Sequence, residues 1–118
     1  MQITENLGQN PEIDSSLKLE LVDSDTGSIT IESDGKIELI AKALSSETRR
    51  SILHQIQIHQ EGMDVSNIAA NLNMTEANIS AQIKKLEEAG LIDCDYCSGN
   101  HGVRKISKLK YCQISIKF

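Results

Sequence analysis

The 118-residue chain is 39% hydrophobic and 25% charged, a composition that suits one globular domain and a length too short for two independent cores. Seven Gly and one Pro exclude collagenous and Pro-rich classes, and no apolar run approaches the ~20 residues of a membrane span. The net charge of −5 weighs against a polyanionic partner, yet nine of the 17 acids fall in residues 1–40, beside only two bases.

Residues 1–16 are polar, hold the only Pro and show no sustained period, which predicts a flexible arm. The start lacks the basic-then-apolar layout of a signal peptide, so the cytoplasm is the expected compartment, with no membrane partner. Over 17–33 the period becomes two: Leu17, Leu19 and Leu21, then Ile29 and Ile31, flank a loop containing Gly27, which predicts a β-hairpin. Residues 111–118 alternate likewise, with Cys112, Ile114, Ile116 and Phe118 on one face. An isolated hairpin is marginal in water, so this C-terminal strand is its natural partner, within a subunit or exchanged across a dimer.

Between the ends, over 36–90, the period is helical. Ile37, Ile40, Ala41 and Leu44 follow the i, i+3, i+4, i+7 rule. Ser46 is placed to cap a second helix with Ile52, Leu53 and Ile56 inward, ended by Gly62. Asp64 is placed to cap a third, burying Val65, Ile68, Ala69 and Leu72. Asn73 and Met74 break the pattern, and Thr75 caps a fourth helix with Glu76 in its first turn. Ile79, Ile83 and Leu86 are its inward stripe, and Gly90 its stop. Two strands then flank the SGNHG loop, giving a wing over 91–107.

Two short helices, a tight turn, a longer helix (65–89 spans the pair around the turn) and a glycine-tipped hairpin form a winged helix-turn-helix pattern. The expected fold is mainly α with a small β component, an α+β domain over 17–118. It has a winged helix-turn-helix core, an N-terminal β-hairpin and a C-terminal strand. Such a core presents the second helix of the pair to the DNA major groove. On that helix Asn78, Ala81, Gln82 and Lys85 fall off the apolar stripe, and Asn or Gln amides can pair bidentately with adenine. The wing offers Asn100, His101, Arg104 and Lys105 to flanking phosphates.

The segments AKALSSETRRSIL (41–53) and VSNIAANLNMTEANISAQIKKLEEAGLI (65–92) resemble the ArsR-type winged-helix transcriptional regulators, a resemblance running over roughly residues 37–97. The resemblance implies a homodimer on a roughly palindromic operator of double-stranded DNA. By position it assigns Thr75, Glu76, Asn78, Ser80 and Gln82 to the stretch that contacts bases and backbone. Two familiar metal sites of such regulators have no counterpart here. The third helix carries Val65, Ser66 and Asn67 where a cysteine cluster would stand, and ISKLKYCQISIKF, after the wing, has no carboxylate. The first helix (Ile37, Ile40, Ala41, Leu44) and the terminal strands are expected to make the dimer.

Cys94 and Cys97, with His101 and Cys112 nearby in sequence, raise zinc binding or redox sensing. Against both, residues three apart on a strand face opposite ways and no second C-x-x-C exists, so no cofactor is expected and small half-buried thiols are the plainer reading. His54 and His59 are five apart and share no helix face. Arg49 and Arg50 could meet phosphate, pair with Glu47 or stay solvated. No catalytic constellation is present, so an enzyme is not expected. The alternatives to a DNA-binding regulator are a protein-binding winged helix of the transcription machinery and a metal- or redox-responsive regulator. No effector is identified.

Overall fold

The computed structural model describes residues 17–99 and 102–118. The arm expected over 1–16 and the wing-tip residues Asn100 and His101 lie outside them. In chain order the elements are β1 (Lys18–Asp23), β2 (Gly27–Ile31), α1 (Asp34–Leu44), α2 (Glu47–Gln57), β3 (Met63–Asp64), α3 (Val65–Leu72), α4 (Glu76–Glu88), β4 (Ile92–Gly99), β5 (Gly102–Leu109) and β6 (Gln113–Lys117). This is an α+β winged helix-turn-helix, with four helices and two three-stranded antiparallel sheets among the described residues.

Side chains placed one residue outside each helix start the four helices. The backbone N–H groups of Lys36, Arg49, Asn67 and Asn78 donate to the side-chain oxygens of Ser33, Ser46, Asp64 and Thr75 at 2.9–3.4 Å. Each bond satisfies a donor that has no partner within its helix. The turn from α3 to α4 is made by Asn73, the one non-glycine residue with positive φ among those described, at φ 56° and ψ 48°. Asn tolerates this left-handed conformation better than most residues. The Met74 N–H closes the turn onto the Ala69 carbonyl at 3.0 Å.

The core is aliphatic. Ile40 and Ala43 of α1, Ile52 and Ile56 of α2, Ile68 and Ala69 of α3, and Ile79, Ile83 and Leu86 of α4 are buried together with Met63, Leu91 and Ile92. On α1 the inward stripe differs from the expected one: Ala43 is buried and Ala41 is exposed. Both alanines lie near the edge of an apolar stripe, where residue spacing alone does not separate them.

The sheet β3-β5-β4 forms the wing. Its β4–β5 hairpin runs in register from Ile92↔Leu109 to Gly99↔Gly102, two residues longer at its base than the segment expected from sequence. The β3 strand pairs Met63↔Ser107 and Asp64↔Ile106. Two residues carry no period, so β3 has no sequence signal.

Gly62 immediately precedes β3 and does not end α2, which stops at Gln57 with the Ile58 N–H bonded to the His54 carbonyl. Gly62 has φ 97°, and a Cβ there would lie 2.6 Å from Ile106 Cγ2, 2.9 Å from Lys108 Cγ and 3.0 Å from the Ser107 carbonyl oxygen. Glycine is required for that approach of chain to strand.

The second sheet, in order β2-β1-β6, joins the two ends of the described chain within one subunit. Cross-strand rows Ile31–Leu19–Ile116 and Ile29–Leu21–Ile114 make one face apolar. The opposite face carries the Lys18–Glu32 ion pair at 3.3 Å and the Lys117–Glu20 pair at 3.7 Å. Leu19 and Leu21, on the central strand, are buried in the main core. The Cys112 N–H bonds the Val22 carbonyl, and the Lys110 N–H bonds that of Leu91. No helix among the described residues is long and apolar enough to cross a membrane.

Candidate nucleic-acid interface

Helix α4 is held on one side only. Ile79, Ile83 and Leu86 face the core, while Ala77, Asn78, Ser80, Ala81, Lys84 and Lys85 are exposed. Thr75, also exposed, spends its hydroxyl on the helix cap. Glu76 is tied across the turn, accepting from Ser66 Oγ at 2.8 Å, so its carboxylate braces α3 against α4. Lys84, absent from the residues singled out in the sequence, adds a second exposed base beside Lys85. Its position well outside the apolar stripe was the available signal.

Gln82 is half-buried and committed on both sides of its amide. Its Oε1 accepts from Arg49 Nη1 at 2.7 Å, and its Nε2 donates to Asn78 Oδ1 at 3.1 Å. Asn78 Nδ2 in turn points at Met74 Sδ, 3.8 Å away. Arg49 also donates through Nε to the Ala43 carbonyl at 2.8 Å and through Nη2 to that of Lys42 at 2.9 Å. Arg50 Nη1 donates to the Leu44 carbonyl at 2.8 Å. Both arginines therefore cap the end of α1, where the last carbonyls lack partners within the helix and carry its negative dipole end. Neither is paired with Glu47 among the described residues; Arg49 is half-buried, and Arg50 stays exposed around its single capping bond.

The wing bases are also engaged. Arg104 donates to Asp64 Oδ2 through Nε at 2.9 Å and Nη2 at 2.6 Å, while Asp64 Oδ1 caps α3. One carboxylate thus fixes the wing to the first helix of the helix-turn-helix pair, with the Arg104 side chain still 54% exposed. Lys105 Nζ lies 3.3 Å from Glu87 Oε1 of α4. Burial works against the Lys105 charge, but the Glu87 hydrogen bond and the charges of its neighbours outweigh it and raise the ammonium above the usual lysine value.

Tyr96 and Val103, exposed on the hairpin, were not expected to contribute. Tyr96 stands opposite Lys105, whose Nζ is 6.0 Å from the ring centre. The remaining C-terminal bases lie at the base of the wing hairpin or beyond it. Lys117 pairs with Glu20, and Lys108 and Lys110 line a cavity with Asp23 and Asp25.

The cysteines do not converge. Cys94 is half-buried with Sγ 3.5 Å from Ser107 Oγ, Cys97 is exposed further along β4, and the Cys112 thiol donates to the Val22 carbonyl at 3.3 Å. Burial pushes the Cys94 thiol above its ordinary value, against the opposing Ser107 hydrogen bond, which disfavours the thiolate that metals and oxidants need. Among the described residues no group of three or more His, Cys, Asp or Glu is placed to hold a metal ion. His59 Nδ1 is bonded to the Gln55 carbonyl at 2.8 Å, and His54 Nδ1 lies 3.4 Å from Gln57 Oε1.

Of the residues expected to form a dimer, Ile40 is buried in its own subunit. Ile37 and Leu44 are half-covered by the same core, and Ala41 is exposed. Ile40 thus has no free surface in this packing. Leu39, on the same helix, is 41% exposed.

Residues 44–95 match a family model described as a helix-turn-helix domain. No curated protein matches the chain. Three solved structures share its fold. A fragment of a possible transcriptional regulatory protein from Mycobacterium bovis is 24% identical over 64% of this chain and 74% of that one, with a TM-score of 0.54. HlyU from Vibrio cholerae is 18% identical over 64% and 75%, with a TM-score of 0.52. The antimony-specific transcriptional repressor AntR is 24% identical over 73% of each chain, with a TM-score of 0.54. The chain thus has a winged helix-turn-helix fold, and its residues 44–95 are similar to a helix-turn-helix domain family.

Proposed function

We propose that the chain is a sequence-specific DNA-binding transcriptional regulator, acting as a homodimer on a roughly palindromic operator. The observation that carries this reading is α4. Its inner stripe is sealed by the core, its outer face is open, and it is braced by Ser66 on one side and the Lys105-bearing wing on the other. In a winged helix that open face enters the major groove while the wing lies along the flanking backbone. Two copies related by a twofold axis would read half-sites about one helical turn apart. The exposed Lys84 and Lys85 supply phosphate contacts at the helix, and the exposed part of Arg104 supplies one at the wing. The acidic hairpin belongs to the terminal sheet, where Glu32 pairs with Lys18 and Glu20 with Lys117.

Selection of bound fragments from the source genome, repeated across a salt series, tests this. Neutralising ~6 phosphates predicts a loss of affinity of about 10³-fold between 50 and 200 mM salt. Absence of salt-sensitive duplex binding would refute it, and mass measurement in solution checks the dimer. One observation favours a second reading, a protein-binding winged helix: Arg104 and Lys105 of the wing are already paired with carboxylates. Salt-independent capture of a protein with no retention of duplex would select that reading.

A further inference from the structure

Arg49 is the one described side chain whose hydrogen bonds join the end of α1 to the exposed flank of α4. We propose that it is a positioning residue for sequence readout, fixing the orientation of the Gln82 amide on the recognition helix. The proposal rests on the DNA-binding reading above.

The chemistry is directional. A guanidinium donates and never accepts, so only the oxygen of the Gln82 amide can face Arg49. The Asn78 oxygen accepts and never donates, so only the Gln82 nitrogen can face it. These two bonds, at 2.7 and 3.1 Å, remove the end-for-end ambiguity of a free glutamine amide. They use one lone pair of Oε1 and one hydrogen of Nε2. One lone pair and one N–H remain, the complement that a bidentate contact to adenine N6 and N7 requires.

The anchor is rigid because Arg49 is itself held at two further points, the Lys42 and Ala43 carbonyls. A side chain held at three points gives up its freedom once, on folding, and not again on binding. An unanchored Gln82 would present oxygen and nitrogen in either order, and its preference between bases would fall. Arg49 touches no base in this scheme. It acts through Gln82.

Arg50 provides a matched control. It caps the same end of α1, on the Leu44 carbonyl, and has no described bond to α4. The experiment compares duplexes selected from a randomised pool by the full-length wild type, Gln82→Ala, Arg49→Met, Arg50→Met and the Gln82→Ala/Arg49→Met double variant, each checked for cooperative melting. Gln82→Ala should flatten the preference at one base pair per half-site by about tenfold. Arg49→Met should flatten that same position by about fivefold or more while leaving affinity for unrelated duplex within about twofold. The double variant should resemble Gln82→Ala, and Arg50→Met should keep the wild-type profile.

Should Arg49→Met fail to fold, Arg49→Lys decides. A single ammonium cannot serve three acceptors in the fork geometry, so the same position should be partly flattened. A wild-type profile from the folded Arg49 variant, or from Gln82→Ala, overturns the proposal. An equal shift in Arg50→Met overturns it too, by showing a general effect of the α1 terminus. A wild-type chain that retains no duplex refutes the underlying function instead, and the proposal with it.

Discussion

The two ends of the molecule treat their surfaces differently. Around the helix-turn-helix pair, polar side chains act as braces: Ser66 to Glu76, Asp64 to Arg104, Glu87 to Lys105, and Arg49 to both α1 and α4. In the terminal sheet the polar face is stitched by ion pairs, but the apolar face is only half covered. Leu19 and Leu21 are buried, whereas Ile29 is 45%, Ile116 59% and Phe118 79% exposed. One region is locked internally and offers a polar outer face. The other is incomplete as a solitary surface, since adjoining exposed apolar side chains mark contact sites more often than idle surface.

The largest test of this contrast is Gly62→Ala, which challenges the locked region. It combines a left-handed backbone with overlap against β5, and should lower unfolding free energy by about 3 kcal/mol in urea titrations. A loss below about 1 kcal/mol would mean that the loop and β5 are not held as close as described.

Asp64→Ala comes next. It removes the α3 cap and the acceptor of both Arg104 bonds, for an expected loss of about 2 kcal/mol. Amides of β3 and β5 should exchange faster than those of β1. Equal exchange across both sheets would argue against a local brace.

The smallest effect on folding is expected in the terminal sheet. Replacing Ile116 and Phe118 by Ser should change the stability of a monomer by no more than about 0.5 kcal/mol per site, because both are mostly exposed. If this face is covered by a second copy, the same pair should weaken self-association by about tenfold or more in sedimentation experiments. Unchanged association would move the dimer surface elsewhere, to the Leu39 face of α1.

The fold was largely legible because its signals are local. The aliphatic stripes of α2, α3 and α4, the caps Ser46, Asp64 and Thr75 and the alternation of the terminal strands each need only a few neighbouring residues to be read. Side-chain commitments were less legible. Gln82 and Arg104 were read as free to meet DNA, whereas one is held by Arg49, 33 positions earlier, and the other by Asp64, 40 positions earlier. Gly62 looked like a helix stop because glycine serves both a helix end and a close backbone approach, and the choice depends on a strand over forty residues downstream.

The amino-acid sequence by itself determined the succession of helices and of every strand but β3, the turn at Asn73 and the separation of an acidic N-terminal hairpin from a more basic remainder. Periodicity, capping and charge are properties of neighbours along the chain. The tertiary structure alone decided which bases remain available, which alanine of α1 faces inward and that the two ends of the described chain close one sheet within a subunit. Each of those outcomes depends on groups distant in sequence competing for the same partner, and only the folded chain brings them within reach.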